Sequence, residues 1–402
     1  MRVLFLHNNF PAQYRHVATR LAAEAGHEVV FGTKRDGGQL PGVRRVHFEP
    51  GRSVKPETHH YVRNLEEAVL HGQAVYRMAV ELKRQGFTPD VICGHSGWGP
   101  TLFVKDVFPD ARLLCYFEWF YRAYGTDADF LPESAITEDD ACRIRTRNAA
   151  ILLDLAACDR GLAPTAFQRQ QFPAQFQGHF TTLHDGIDTG YFKPAPGVGL
   201  KLPGLDLTEA DEIVTYATRG MEPYRGFPQF MAAAAAVQRR RPKCHIVVVG
   251  EDRVAYGRRL PEGQTYKQKM LAELDFDPAR LHFTGLLPYD QYLQVLQASA
   301  AHVYMTVPFV LSWSALEAMA TGCLMIASDT EPVHEFVEHG RNGLLVDFFD
   351  SDALAERIVA ALDQPEQYAE LRRAARATIV DGYDLKDMLP RHIDLITQLA
   401  NA

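Results

Sequence analysis

Short, wholly apolar runs alternate along this chain with longer stretches whose apolar residues recur every three or four positions. Val3-Leu4-Phe5-Leu6 is the first such run, the pattern of a strand that a parallel sheet buries on both faces. His7-Asn8-Asn9-Phe10-Pro11 breaks it. Val17, Leu21 and Ala22 then carry a helical stripe, and Gly26 predicts where that stripe stops. Val29-Val30-Phe31 predicts the next strand. A long helix opens near Tyr61, with Val62, Leu65, Val69, Met78 and Leu82 on one side, and Val91-Ile92-Cys93 and Leu113 to Phe117 predict two further strands. This alternation predicts βαβ units around a parallel sheet.

Lys193-Pro194-Ala195-Pro196-Gly197 through Pro203-Gly204 has the composition of an interdomain linker. Beyond it the alternation restarts, with strands expected at Ile213-Val214, Ile246 to Val249, His282-Phe283, His302 to Tyr304 and Leu324 to Ile326. The expected architecture is α/β, two doubly wound, Rossmann-like halves in tandem facing a central cleft. An N-terminal domain spans 1–195 and is joined by a final helix within 384–402; a C-terminal domain spans 205–383. Ligands on such sheets bind beyond the carboxyl ends of the strands.

Composition narrows the picture only in part. The chain has 402 residues, 47% hydrophobic and 23% charged, as in an ordinary globular protein of two or three domains. A net charge of −8 argues against an extended polyanion such as nucleic acid as partner, and leaves room for one compact anion. None of the six cysteines forms a C-x-x-C pair, which with their apolar surroundings suits a reducing cytoplasm. The start has too short an apolar run for a signal peptide, and no window approaches the length of a membrane span. A cytoplasmic protein is expected, with a peripheral membrane contact left open.

Three segments carry candidate chemistry. Val303-Tyr304-Met305 leads through Val307-Pro308-Phe309 to a helix expected to start near Ser312, with Ser312 or Ser314 as cap. A helix N-terminus at a strand's carboxyl end favours an anion through its free N–H groups and its dipole. Glu317, one turn further, is either a solvated carboxylate or an acceptor for ribose hydroxyls. Thr218-Arg219-Gly220-Met221-Glu222-Pro223-Tyr224-Arg225-Gly226 brackets a turn with two arginines, suited to phosphate or simply exposed on a loop. Gly94-His95-Ser96-Gly97-Trp98-Gly99 puts His95 after a buried strand, as an acid/base or as a structural histidine.

Taken in order, these stretches resemble family-4 glycosyltransferases of the GT-B fold. The matching residues are Gly26-His27-Glu28-Val29, Leu183-His184-Asp185-Gly186-Ile187-Asp188 to Phe192-Lys193-Pro194, Arg219 to Gly226, Val248-Val249-Gly250 and His282-Phe283-Thr284-Gly285. Leu316-Glu317-Ala318-Met319-Ala320-Thr321-Gly322, Ala327-Ser328-Asp329 and Gly340-Arg341-Asn342-Gly343 complete the series.

The resemblance implies a retaining, metal-independent transfer of a sugar from a nucleoside diphosphate sugar, with no cofactor beyond that substrate. Arg219 and Arg225 would hold the diphosphate, Arg225 standing where the family usually has Lys. Glu317 would hold the ribose, backbone near Leu286 and Leu287 the base, and Gly250, Ser312 and Ser314 would line the donor site. His95 would act beside the sugar. Asn9 and Phe10, in the loop Asn8 to Gln13, would line the acceptor side, with Glu118 a further polar candidate. The acceptor class (glycan, lipid, small molecule or protein) stays open. One departure stands out. The family's first glutamate of a pair falls at Phe309, so the chain lacks the acid that holds a donor-sugar hydroxyl.

Other patterns carry no chemistry. Asp127/Asp129, Asp275/Asp277 and Asp350/Asp352 are scattered acid pairs in a chain with 50 acids, and Asp350 reads as a helix cap. His334 and His339 are five apart, the wrong spacing for two ligands on one helix face. Two rival functions remain: a nucleotide-sugar epimerase or hydrolase on the same scaffold, and a catalytically silent GT-B binding subunit.

Overall fold

The computed structural model describes residues 1–402. They divide into two compact units. Unit 1 comprises Met1–Asp129, Ser134–Gly186 and Lys386–Ala402; unit 2 comprises Phe130–Glu133 and Ile187–Leu385.

Unit 1 is built on seven parallel strands: β1 (Arg2–Leu6), β2 (Glu28–Thr33), β3 (Val43–His47), β4 (Val91–His95), β5 (Arg112–Tyr116), β6 (Arg160–Ala163) and β7 (Phe180–Thr182). Their order is β3-β2-β1-β4-β5-β6-β7. Val3, Leu4, Phe5 and Leu6 are all fully buried, as an unbroken apolar run in a central strand requires. One face packs on the helix Arg63–Arg84 through Val75, Met78, Ala79 and Leu82. On the other, Met388 and Ile396 of the final helix Leu385–Ala400 join Val3, Phe5 and Val17. His392 Nε2 lies 3.0 Å from the carbonyl oxygen of His184, tying that helix to the segment after β7. The edge strand β3, Val-Arg-Arg-Val-His, has no apolar run to betray it.

Unit 2 opens with a small hairpin, β8 (Leu200–Leu202) and β9 (Leu205–Leu207), then builds a six-stranded parallel sheet. Its strands are β10 (Ile213–Gly220), β11 (His245–Glu251), β12 (Leu281–Gly285), β13 (Ala301–Tyr304), β14 (Met325–Ser328) and β15 (Leu344–Val346), ordered β12-β11-β10-β13-β14-β15. The Pro- and Gly-rich stretch read as a linker is therefore structured. Leu200, Leu202 and Leu207 are buried in the unit's core beside Leu296 and Leu316. Turn residues marked a hairpin there, and a linker and a hairpin share that composition.

No helix is long and apolar enough to cross a membrane. Five of the six cysteines are buried and all are free thiols.

Candidate functional site

In unit 2 the candidate residues gather where β10 and β13 end. After β10 the chain makes a tight turn, Pro223–Arg225, and enters the helix Phe227–Arg240 through Gly226. Gly226 has φ +62°, and a Cβ there would sit 2.4 Å from Met305 Cβ. Only glycine lets the turn approach β13 this closely. The turn folds Arg225 inward: it is 5% exposed, while Arg219 is exposed. Arg225 Nη1 donates to Tyr304 Oη (3.2 Å) and Thr306 Oγ1 (2.8 Å), both neutral oxygens. Its guanidinium lies 5.3 Å from the Tyr256 ring and 5.9 Å from the Phe309 ring. Burial disfavours this charge, while Tyr304, Tyr256 and the Glu222 carboxylate favour it, and an anion would add to them.

Tyr304 Oη also accepts from the backbone N–H of Ser312 (2.8 Å). One phenol oxygen thus joins the guanidinium to the start of the helix Trp313–Thr321. Ser312 caps that helix, its Oγ accepting from Ser314 N–H (3.3 Å) and lying 2.9 Å from Ser314 Oγ. The partial positive end of the dipole therefore adds to Arg225 rather than opposing it.

Glu317 is not a solvated helix carboxylate. It is 7% exposed, and burial pushes it up to about 7, with hydrogen bonds from Tyr292 and Tyr289 pulling the other way. Gly250 has a structural reason of its own: φ is +136° and a Cβ would lie 2.0 Å from the Thr218 carbonyl oxygen. After β12, Leu286 is 65% exposed, whereas Leu287 packs on the unit's core. Phe309 is buried, edge-on to Tyr224 (5.8 Å) and tilted against Tyr256 (5.3 Å).

Glu222, within the turn that the two arginines bracket, carried no expected role. It is fully buried, and its carboxylate accepts from the N–H groups of Ala255 (3.0 Å), Tyr256 (3.0 and 3.1 Å) and Gly257 (2.6 Å). This clasp holds Tyr256 beside Arg225. Glu222 is thus bonded to backbone donors, while its charge also favours the guanidinium three residues away.

In unit 1, His95 is the last residue of β4 rather than a residue past its end, and is 4% exposed. Its Nδ1 lies 2.8 Å from the Ser96 carbonyl oxygen and its Nε2 lies 3.6 Å from Glu118 Oε2. Trp98 stacks on the imidazole at 4.1 Å. The Ser96–Gly97 turn is held from behind by Asp154, whose Oδ2 accepts from Ser96 Oγ (2.7 Å) and Gly97 N–H (3.1 Å). Asp154 is 1% exposed and burial pushes it up to about 6. Asn9 donates its N–H to His7 Nδ1 (2.7 Å) and receives Arg35 Nε at 3.4 Å. Phe10 packs edge-on against Phe31 at 4.9 Å. His95 and Glu118, far apart in sequence, are thus neighbours, because β4 and β5 are adjacent. His7 and Asp154 were missed. His7 had one legible signal, its place at the carboxyl end of the first apolar run.

No group of three or more His, Cys, Asp or Glu side chains is placed to hold a metal ion. Asp350 caps its helix as expected, accepting from Ala353 N–H (2.8 Å). His339 lies outside the short helix Glu331–His334.

Comparison with known proteins gives two family matches along the chain. Residues 25–192 match the Glycosyl transferase family 4 group, and residues 204–378 match Glycosyl transferases group 1. Relatives include a D-inositol 3-phosphate glycosyltransferase of Streptomyces avermitilis, 25% identical over 248 residues, covering 60% of this chain and 52% of the relative. Another of the same name, from Segniliparus rotundus, is 26% identical over 227 residues, covering 56% and 49%. The chain thus matches about half the length of these relatives. Among solved structures, HepE of Anabaena in complex with UDP-glucose superposes with a TM-score of 0.73 at 16% identity, covering 99% of this chain and 100% of that one. Sucrose-phosphate synthase of Thermosynechococcus elongatus also gives 0.73, at 18% identity and 99% of both chains. With its two parallel-sheet units and a family match to each, the chain belongs to the family-4 glycosyltransferases of the GT-B fold.

Proposed function

We propose that this protein is a retaining glycosyltransferase that moves a sugar from a nucleoside diphosphate sugar to an acceptor hydroxyl. The Tyr304 bridge carries the proposal: a buried guanidinium and a helix N-terminus share one phenol oxygen, and both favour a diphosphate. Arg225 and the first N–H groups of the helix take up the charge that builds on the diphosphate as the bond from the anomeric carbon to the phosphate oxygen breaks. Arg219 adds attraction from an exposed position. Glu317 accepts from the ribose, and backbone at Leu286 and Leu287 meets the base. His95 bears on the sugar, and Asn9, Phe10 and Glu118 serve the acceptor. The acceptor oxygen bonds to the anomeric carbon on the face the diphosphate leaves. Its proton passes to the departing diphosphate, so configuration is kept and charge balances. The scheme needs no metal ion, and we expect a cytoplasmic enzyme.

UDP-sugars lead the test panel because HepE is known in complex with UDP-glucose. Polyols and simple sugars lead the acceptors because the relatives include D-inositol 3-phosphate glycosyltransferases. The expected result is acceptor-dependent UDP release with the donor's anomeric configuration kept in the product, read by NMR. An inverted product overturns retention. Free sugar or an epimer as the sole product overturns transfer in favour of hydrolysis or epimerisation. Phe309, apolar where a carboxylate would hold the sugar, favours a second reading as a binding subunit, which UDP binding without turnover would support.

A further inference from the structure

In unit 1 the sheet ladder runs one residue past β5, where Phe117 donates its N–H to the Leu162 carbonyl oxygen (2.8 Å). Side chains then alternate between core and surface. Phe117 is buried edge-on against Phe172 (5.5 Å) and Phe180 (5.3 Å), and Trp119 is buried beside Phe167 (5.7 Å). Glu118, between them, keeps its side chain 41% exposed. From Glu118 to Arg122 the chain belongs to no strand or helix.

Side chains from other elements hold this loop instead. Gln168 Nε2 donates to the Glu118 carbonyl oxygen at 2.7 Å. Asn148 grips both backbone groups of Tyr121: its Oδ1 accepts the N–H at 2.9 Å and its Nδ2 donates to the carbonyl oxygen at 2.8 Å. The Arg147 guanidinium lies 3.7 Å from the centre of the Tyr121 ring, and Arg122 Nη2 donates to the Gln171 carbonyl oxygen at 2.8 Å.

The two amides are committed to the loop. Asn148 stands where the helix Glu138–Arg147 passes into the helix Ala149–Ala157, a position at which Asn commonly caps the second helix; here its side chain caps nothing. It is 3% exposed, and its donor and acceptor both meet Tyr121. Gln168 is 1% exposed, and Thr165 orients it by donating its hydroxyl to Oε1 (3.1 Å), which leaves Nε2 for the Glu118 carbonyl. Both amides act on backbone, and the one carboxylate on the stretch they fix is Glu118. A carboxylate on a backbone held this way meets a ligand with less ordering to pay for than one on a mobile loop.

We propose that Asn148 and Gln168 are positioning residues: by fixing the backbone from Glu118 to Tyr121 they hold the Glu118 carboxylate where it accepts a hydrogen bond from a hydroxyl of the acceptor substrate. This deepens the transferase reading and rests on it.

The test is a double-mutant cycle on the full chain, with UDP-glucose as donor and myo-inositol, glucose and glycerol as acceptors. Glu118→Gln should raise the acceptor KM about 10-fold, because a neutral amide replaces a charged hydrogen-bond acceptor. Asn148→Ala should raise it about 10-fold through the loop, and Gln168→Met, which removes one bond and keeps the side chain's bulk, about 3-fold. Calorimetry should find UDP affinity unchanged within about 2-fold in all three, which also shows that they fold. In the Glu118→Gln background both loop variants should lose most of their effect, since the carboxylate they position is gone. If Asn148→Ala does not fold, Gln168→Met carries the cycle alone. Effects that multiply in the double variants, a parallel loss of UDP affinity, or an acceptor KM indifferent to Glu118→Gln overturns the positioning role and leaves the transferase reading in place. Absence of acceptor-dependent UDP release by the parent chain overturns the transferase reading, and the positioning role with it.

Discussion

At the carboxyl ends of β10 and β13 stands a buried guanidinium held by two hydroxyls; at the carboxyl ends of β1 and β4 stand two imidazoles whose Nδ1 atoms meet backbone. Both sheets are parallel and both display their polar groups just past the last strand residue. The difference lies in charge. Unit 2 buries a formal cation and adds a helix N-terminus to it. Its one nearby carboxylate, Glu222, is occupied by Ala255, Tyr256 and Gly257. Unit 1 buries imidazole rings and keeps Asp154 behind them, bonded to Ser96 and Gly97. One architecture thus places a buried guanidinium at the end of one sheet and buried imidazoles at the end of the other. What changes is which polar groups the local hydrogen bonds leave uncompensated.

The sharpest way to break this contrast is Arg225→Ala. It removes the buried cation of the unit 2 site, so UDP affinity and kcat/KM should fall by about 1,000-fold. Calorimetry and UDP release check it, and a loss under about 10-fold would remove the anion site from this position. His95→Ala should lower kcat/KM by about 100-fold while changing affinity for UDP alone far less. Equal losses in both measurements would erase the division of labour.

Glu317→Gln tests the interior of unit 2 through stability. The fold raises Glu317 from 4.5 to about 7, so the folded chain holds this proton more tightly than the unfolded chain. Its favourable contribution is present below pH 4.5 and is lost as pH rises from there to 7. The Gln variant should gain about 3 kcal/mol over the parent between pH 4.5 and 8, measured by denaturant titration. A constant difference across that range would show that the carboxyl is ionised in the fold. Arg219→Ala, at an exposed position, should cost only a few-fold in KM, and less at high salt. Last and smallest, EDTA should leave UDP release unchanged; loss restored by Mn²⁺ would transfer the leaving-group role to a metal.

Much of the fold was legible because its signals are local. Val3 to Leu6, Ile246 to Val249 and Leu324 to Ile326 are buried strand or strand-edge residues, and apolar runs declare burial directly. Ser312 and Asp350 cap the helices expected of them, since a cap needs only its own side chain and N–H groups nearby. β3 escaped notice because an edge strand carrying Arg44 and Arg45 has no such run. The Lys193–Gly204 stretch misled because turn residues mark hairpins and linkers alike.

The sequence by itself determined the two parallel sheets, the helix that opens at Ser312, and the presence of Arg219, Arg225, His95 and Glu317 near strand ends. These follow from periodicity and chain order. Tertiary structure decided which of two arginines is buried, that Tyr304 joins Arg225 to the helix, that Glu222 serves the backbone, and that His7 stands beside His95. Each depends on strands brought together from distant parts of the chain. Burial there limits water as a partner, so the nearest protein donor or acceptor decides how each polar group is satisfied.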